Sequence, residues 1–300
     1  MTADHVLGTT PGGRAGQFRR GSLVFDVRDE GPLAGAPVVL LHGFPQDSRA
    51  WDRVAPSLHH AGLRTLAPDQ RGYSPGARPG GRRAYAIPEL ADDVLALLDD
   101  RGLERAHVVG HDWGGTVAWA LAGRAPDRVG SVTVVSTPHP AALVRASLPG
   151  VQAIASSYMG LFQVPWLPEF LLAPTLEPLL VRTGLPRDLA ARYAARMRQP
   201  GALSAALSWY RALPLALRGG GEPVRRSRVP TTYVWGSRDP ALRRRAAELT
   251  GRYVVGPYRF EVLDAGHWLP ELRSADVAAL VVDRVRSTGP TGRATSLRRE

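Results

Sequence analysis

Residues Gly110-His111-Asp112-Trp113-Gly114-Gly115 close the apolar run Ala106 to Val109 and open a segment of helical character. A nucleophile elbow needs this strand–turn–helix context, with small residues flanking a reactive side chain held on a strained turn. Asp112 stands at the reactive position, where an esterase would carry serine. A carboxylate with an ordinary pKa of about 4 is ionised at neutral pH and attacks without a base to activate it. Attack at sp³ carbon gives an alkyl ester of Asp112 itself, which water must then cleave with the help of a base. The chain order nucleophile, acid, histidine supplies two partners. Trp235-Gly236-Ser237-Arg238-Asp239-Pro240 ends one strand and offers Asp239, and Asp264-Ala265-Gly266-His267-Trp268 ends the last strand and offers His267. Asp264 is nearer His267 along the chain but belongs to the strand end, so Asp239 is the expected acid. The plain alternative for Asp112 is a helix N-cap, for which aspartate is well suited.

Positioning these side chains calls for a sheet whose strands all end on one side. Short apolar runs alternate with amphipathic or Ala-rich segments from Ser22 to Ser136, the pattern of a mostly parallel sheet flanked by helices. The expected strands are Leu23 to Val27, Val38 to His42, Arg64 to Ala67, His107 to Gly110, Ser131 to Ser136, Thr231 to Trp235 and Arg259 to Leu263. The clearest helices are Ile87 to Asp100, with Pro88 in its first turn, and Gly114 to Ala122. After Thr137-Pro138-His139-Pro140 the alternation stops. Leu, Ala and Pro at helical spacing then continue to about Pro223, and Gly219-Gly220-Gly221 leads back to strand-like sequence. The expected organisation is an α/β core over residues 20–138 and 225–287, a helical cap over 139–224, and tails at 1–19 and 288–300. Phe44, Asp112, Asp239 and His267 all fall just after strand C-termini, where open α/β sheets bind ligands.

Composition narrows the function classes. The net charge of +11 raises nucleic acid or anionic membrane as partners, but all 38 basic residues are arginine, and 6 of the 11 excess charges lie in residues 1–20 and 284–300. No basic-aromatic interleaving accompanies the charge, so no nucleic-acid partner is expected. The absence of Cys excludes disulfides, thiolate metal sites and a thiol nucleophile, and neither a metal nor a cofactor is expected. Met1 to Gly21 lacks the apolar run of a signal peptide, so a cytoplasmic location is expected. The uncharged stretch between Arg145 and Glu169 holds three prolines, which argues for a buried helical region rather than a membrane span.

Together with the elbow, His42-Gly43-Phe44-Pro45 and Pro68-Asp69-Gln70-Arg71-Gly72-Tyr73 resemble the motifs of α/β-hydrolases with an aspartate nucleophile, above all the epoxide hydrolases and next to them the haloalkane dehalogenases. The resemblance covers roughly residues 20–287. It implies an α/β-hydrolase fold with a helical cap, a small apolar epoxide and water as substrates, and an oxyanion hole formed by the N–H groups of Phe44 and Trp113. It also implies two cap tyrosines that protonate the epoxide oxygen, matched here by Tyr158 in Ser157-Tyr158-Met159-Gly160 and Tyr210 in Ser208-Trp209-Tyr210-Arg211. Phe44, Trp113, Phe162, Trp166 and Trp209 are the candidate substrate-binding aromatics. A dehalogenase would hold halide between indole or Asn donors. The chain has no Asn, although Trp113 with Trp166 or Trp209 would make a two-indole site. A non-catalytic binding protein on the same fold is the alternative of another class. The sequence leaves monomer and homodimer equally open.

Overall fold

The computed structural model describes residues 14–146, 160, 162–218 and 226–288. Eight strands, β1 (Arg14–Arg20), β2 (Leu23–Glu30), β3 (Pro37–Leu41), β4 (Arg64–Pro68), β5 (Ala106–His111), β6 (Val129–Val135), β7 (Thr231–Gly236) and β8 (Tyr258–Leu263), form one sheet in the order β1-β2-β4-β3-β5-β6-β7-β8. β1, β2 and β4 pair antiparallel, and every pairing from β4 to β8 is parallel. Pro-Val-Val-Leu-Leu of β3 is buried almost throughout, as a strand covered on both faces must be. Successive side chains go to opposite faces. Val39 and Leu41 therefore join one apolar cluster and Val38 and Leu40 the other.

The α-helices of the described residues are α1 (Ala55–His60), α2 (Ile87–Asp100), α3 (Trp113–Arg124), α4 (Pro140–Ala146), α5 (Leu167–Arg182), α6 (Arg187–Met197), α7 (Ala202–Arg218), α8 (Arg244–Leu249), α9 (Leu269–Leu272) and α10 (Ser274–Arg286). α2 and α3 cover one face of the sheet through Leu90, Val94, Val117 and Ala118. α1 and α10 cover the other through Ala55, Leu58, Val277 and Val281. None of the helices among the described residues is long and apolar enough to cross a membrane.

α4 to α7 lie between β6 and β7, and this insertion is fastened to loops of the sheet. Arg196 on α6 pairs with Asp69 at 2.6 Å, and Tyr193 one turn earlier donates to Glu271 at 2.9 Å. The Trp209 indole on α7 donates to the Arg71 carbonyl at 2.8 Å. Asp69 also accepts from the Ser48 amide, while Arg71 grips Asp93 through two bonds of 2.6 and 2.7 Å. The Pro-Asp-Gln-Arg-Gly-Tyr segment is thus the seat on which the insertion rests.

Two sequence expectations give way here. Residues 14–19, expected to lie in an N-terminal tail, belong to β1 instead. Only Phe18 in Arg-Ala-Gly-Gln-Phe-Arg-Arg is strongly apolar, because this edge strand buries one large side chain and pairs with β2 alone. The uncharged stretch expected to be buried is, in its described part, largely at the surface, with Val164 and Trp166 exposed at the start of α5.

Phe18 stacks on Phe25 with ring centroids 4.7 Å apart, and both rings are buried. Phe18→Ala should cost about 3–5 kcal/mol of unfolding free energy, the usual loss for a buried phenylalanine. Urea denaturation measures it. A change within about 0.5 kcal/mol, the range for an ordinary surface substitution, would show that β1 contributes no core.

Candidate active site

The elbow is built from glycines. A side chain at Gly110 would strike the Gly114 carbonyl, and one at Gly114 would strike the Leu41 carbonyl, so β3, β5 and α3 meet as closely as they do only without side chains there. Between them Asp112 sits at φ 50° and ψ −120°, a conformation that costs about 1–3 kcal/mol for a residue other than glycine. The fold holds it there through the Thr137 hydroxyl, which donates to the Asp112 carbonyl at 2.6 Å. The turn thrusts the carboxylate up against the β3 loop. Phe44 N–H donates to Asp112 Oδ2 at 2.9 Å, and the neighbouring Trp113 amide also favours the charged carboxylate. Gly43 leaves the space, because a Cβ there would collide with the Asp112 side chain.

His267 faces the same carboxylate, with Nε2 3.9 Å from Asp112 Oδ1. Its other nitrogen donates from Nδ1 to Asp239 Oδ2 at 2.7 Å. Asp239 is wholly enclosed, and its second oxygen accepts from the amides of Ala241 at 2.8 Å and Leu242 at 3.0 Å. Gly236 ends β7 without a side chain and lets the loop carrying His267 pass close by. Asp264, the nearer acid in sequence, points outward with its side chain 79% exposed and pairs with Arg238.

Burial opposes a charge on His267, yet Asp239, Asp112 and Glu271 outweigh it and push the pKa up to about 9. Burial raises the Asp112 pKa, against His267 and the amides of Phe44 and Trp113, which lower it. Three charges in line, negative, positive, negative, satisfy one another in a place poor in water. Such a line has the chemistry to serve as a carboxylate nucleophile with a base opposite it and an acid to orient the base.

Comparison with known proteins agrees with this geometry. A family profile described as alpha/beta hydrolase fold matches residues 36–274. The chain belongs to the α/β-hydrolase family. It is 36% identical to the AB hydrolase superfamily protein YfhM of Bacillus subtilis over 271 residues, covering 87% of this chain and 92% of that protein. Epoxide hydrolase A of Mycobacterium tuberculosis is 33% identical over 293 residues, covering 83% of this chain and 90% of the relative. The crystal structure of epoxide hydrolase A from Mycobacterium thermoresistibile superposes with a TM-score of 0.76 at 27% identity, over 91% of this chain and 98% of the other. Within the α/β-hydrolases the enzyme stands with the epoxide hydrolases.

Over the carboxylate of this α/β-hydrolase lies an aromatic cluster. Tyr210 on α7 meets Trp113 edge to face at 4.9 Å, Phe162 at 4.9 Å and Phe44 at 5.7 Å. Trp209 joins through its contact with Trp113 at 5.5 Å. Trp166 does not: it precedes α5 with 83% of its surface exposed, turned away by a left-handed backbone at φ 56°. Tyr158 falls outside the described residues. Two further residues, Gln46 and Glu271, are buried beside the site, and the sequence reading passed over both. Gln46, three places after Gly43, carries no local signal that sets it apart from a turn residue. The available signal for Glu271 was a lone acid in the apolar run Trp268-Leu269-Pro270-Glu271-Leu272, one helical turn after His267.

The His267 pKa makes a direct test. In an NMR titration of the free enzyme its imidazole should have a midpoint near 9, and Asp239→Asn should bring it down toward the ordinary 6.5. Since the folded value exceeds the unfolded one, the stability contributed by the charged ring is complete below pH 6.5 and is lost as pH rises through about 9. A wild-type midpoint at or below 6.5 would contradict the assignment of charges.

Proposed function

We propose that the enzyme opens an epoxide to a vicinal diol through a covalent ester on Asp112. The observation that carries the reading is a carboxylate at the elbow, in reach of two amide donors and 3.9 Å from the imidazole of His267. In the first step an Asp112 oxygen bonds to a ring carbon, the carbon–oxygen bond of the epoxide breaks, and the departing oxygen takes a proton from a phenol. An alkoxide is too basic to leave unaided, whereas a phenol with a pKa of about 10 is protonated at neutral pH and donates. Tyr210, packed on Trp113 and Phe44, is one donor in this scheme, with Tyr158 as the second.

Esterification removes the Asp112 charge that helped hold the His267 proton. The ring releases that proton, which restores the phenol, and becomes a base when a base is needed. Water then adds to the ester carbonyl and gives its proton to His267. The oxyanion so formed rests on the N–H groups of Phe44 and Trp113, of which the first already donates to Asp112 in the free enzyme. Collapse expels the diol oxygen, which takes the remaining proton of the new carboxyl, and the carboxylate–imidazolium pair is restored. The substrate-facing aromatics in this reading are Phe44, Trp113, Phe162 and Trp209, which favour a small apolar epoxide. Against halide release, the Trp209 indole N–H is committed to the Arg71 carbonyl and does not serve a two-indole halide site.

The half-reactions should separate. His267→Gln leaves attack by Asp112 possible and removes the base, so incubation with styrene oxide should add the mass of the substrate to the peptide containing Asp112, read by intact-protein and peptide mass spectrometry. Steady turnover by this variant, or an adduct elsewhere, would sink the mechanism.

Tyr210→Phe should slow the ester-forming step in single-turnover experiments by roughly 10²- to 10³-fold, the usual loss on removing one donor to a developing oxyanion. Circular dichroism should be unchanged, since only a hydroxyl is lost. Ester formation at the wild-type rate by the folded variant would remove Tyr210 from the reaction.

A further inference from the structure

Gln46 joins both halves of the hydrolytic machinery. Its Oε1 accepts from the Gly43 amide at 2.8 Å, in the peptide segment that presents the Phe44 N–H to Asp112. The same oxygen lies 2.9 Å from Nδ1 of His111. Nε2 of His111 lies 2.9 Å from the carbonyl of His267, which also accepts from the Ser136 hydroxyl. Burial, and the charge of His267 beside it, hold the His111 pKa well below its ordinary value, so the neutral ring donates to one of its two acceptors. One amide oxygen thereby holds the Gly43 amide on one side and lies on the other against the His111 ring, which is packed between it and the His267 carbonyl.

An amide is nearly symmetric in shape but opposite in polarity at its two ends, and turning it over would set Nε2 against the Gly43 N–H. Glu271 fixes the same direction from the other end. Gln46 Nε2 donates to Glu271 Oε1 at 2.7 Å, and Tyr193 of the insertion donates to that same oxygen at 2.9 Å. The Gly43 N–H at one end and an acceptor at position 271 at the other together oppose the reversed amide. Glu271 itself is held by α9, which starts two residues after His267, and its backbone carbonyl accepts from Arg53 at 3.1 Å.

We infer that Glu271 is a positioning residue for ester hydrolysis, acting through the orientation of the Gln46 amide on the Phe44 N–H and on His267. The inference rests on the two-step reaction proposed above. It extends that reaction to a residue that touches neither substrate nor the reacting atoms. Tyr193 shares the acceptor oxygen, so the helical insertion contributes to the same alignment from above.

The test uses the whole enzyme and styrene oxide, with ester formation and ester breakdown measured separately by rapid quench and mass spectrometry. Glu271→Gln offers a side chain that is donor at one end and acceptor at the other, so the hold on Gln46 Nε2 is weakened and the Gly43 N–H alone is left to orient the amide. Ester breakdown should slow by about 10-fold or more, toward the roughly 10²-fold that a misplaced catalytic group costs, while ester formation stays within about 3-fold of wild type. Covalent adduct accumulates as a result. A merely structural defect would instead lower the burst amplitude and leave both rate constants as they were. Tyr193→Phe, which removes one donor and keeps the acceptor, should shift the same ratio in the same direction by a smaller factor. His267→Gln runs beside them as the reference. An adduct in His267→Gln together with a wild-type ratio of the two rate constants in Glu271→Gln overturns this inference alone. If no adduct forms in His267→Gln, the two-step reaction itself is overturned.

Discussion

Charge alternation along Asp239, His267 and Asp112 is the constraint around which the rest of the enzyme is arranged. Each of these groups would be costly to bury alone, because an ionised side chain loses its hydration and receives nothing in return. Set in line, they answer one another over 2.7 and 3.9 Å, and backbone amides at both ends take up the remaining lone pairs. The arrangement is intolerant of the loss of any member, since the two that remain would be buried with unbalanced charge. It explains why every element bearing on the site is short of side-chain volume where it approaches: Gly43, Gly110, Gly114 and Gly236 each stand where a Cβ would strike the neighbouring backbone or the nucleophile.

The proposed chemistry follows from the same line of charges. A base that is protonated before it is needed would be useless if nothing changed, but in the proposed reaction conversion of Asp112 to an ester removes one of the three carboxylates that hold the proton on His267. The first half-reaction thus prepares the second without any movement of the fold. Here an aspartate nucleophile differs in kind from a serine: its own charge state, and not only its geometry, reports to the base how far the reaction has gone.

Much of this was legible in the sequence, for identifiable reasons. The elbow, the strand-end positions of Asp239 and His267, and the seven strands from Leu23 onward are local signals, carried by apolar runs and by residues whose special backbone geometry only a few side chains tolerate. β1 was missed because an edge strand with one buried ring has almost no hydrophobic pattern to read. Trp166 was misread because an aromatic residue near a cap motif looks the same whether it faces a pocket or water, and the left-handed turn that sends it outward is a backbone property. Gln46 and Glu271 meet from positions 225 residues apart, and nothing in either neighbourhood announces the other. Local chemistry is written locally, whereas the support that holds it is assembled by topology.

The point at which the chain leaves the sheet carries a last consequence. β6 and β7 are hydrogen-bonded neighbours, with Val132 opposite Thr231 and Val135 opposite Val234, although residues 136–230 intervene. Closing so long an excursion costs little more entropy than closing a shorter one, since each doubling of loop length adds only about 0.6 kcal/mol. The register of the two strands is therefore nearly indifferent to how much chain is threaded between them. Lengthening or exchanging the helical part of that chain, beyond Thr137, alters what lies over the carboxylate without changing the pairing of the sheet beneath it, so the specificity of such an enzyme is free to drift while Asp112 stays where it is.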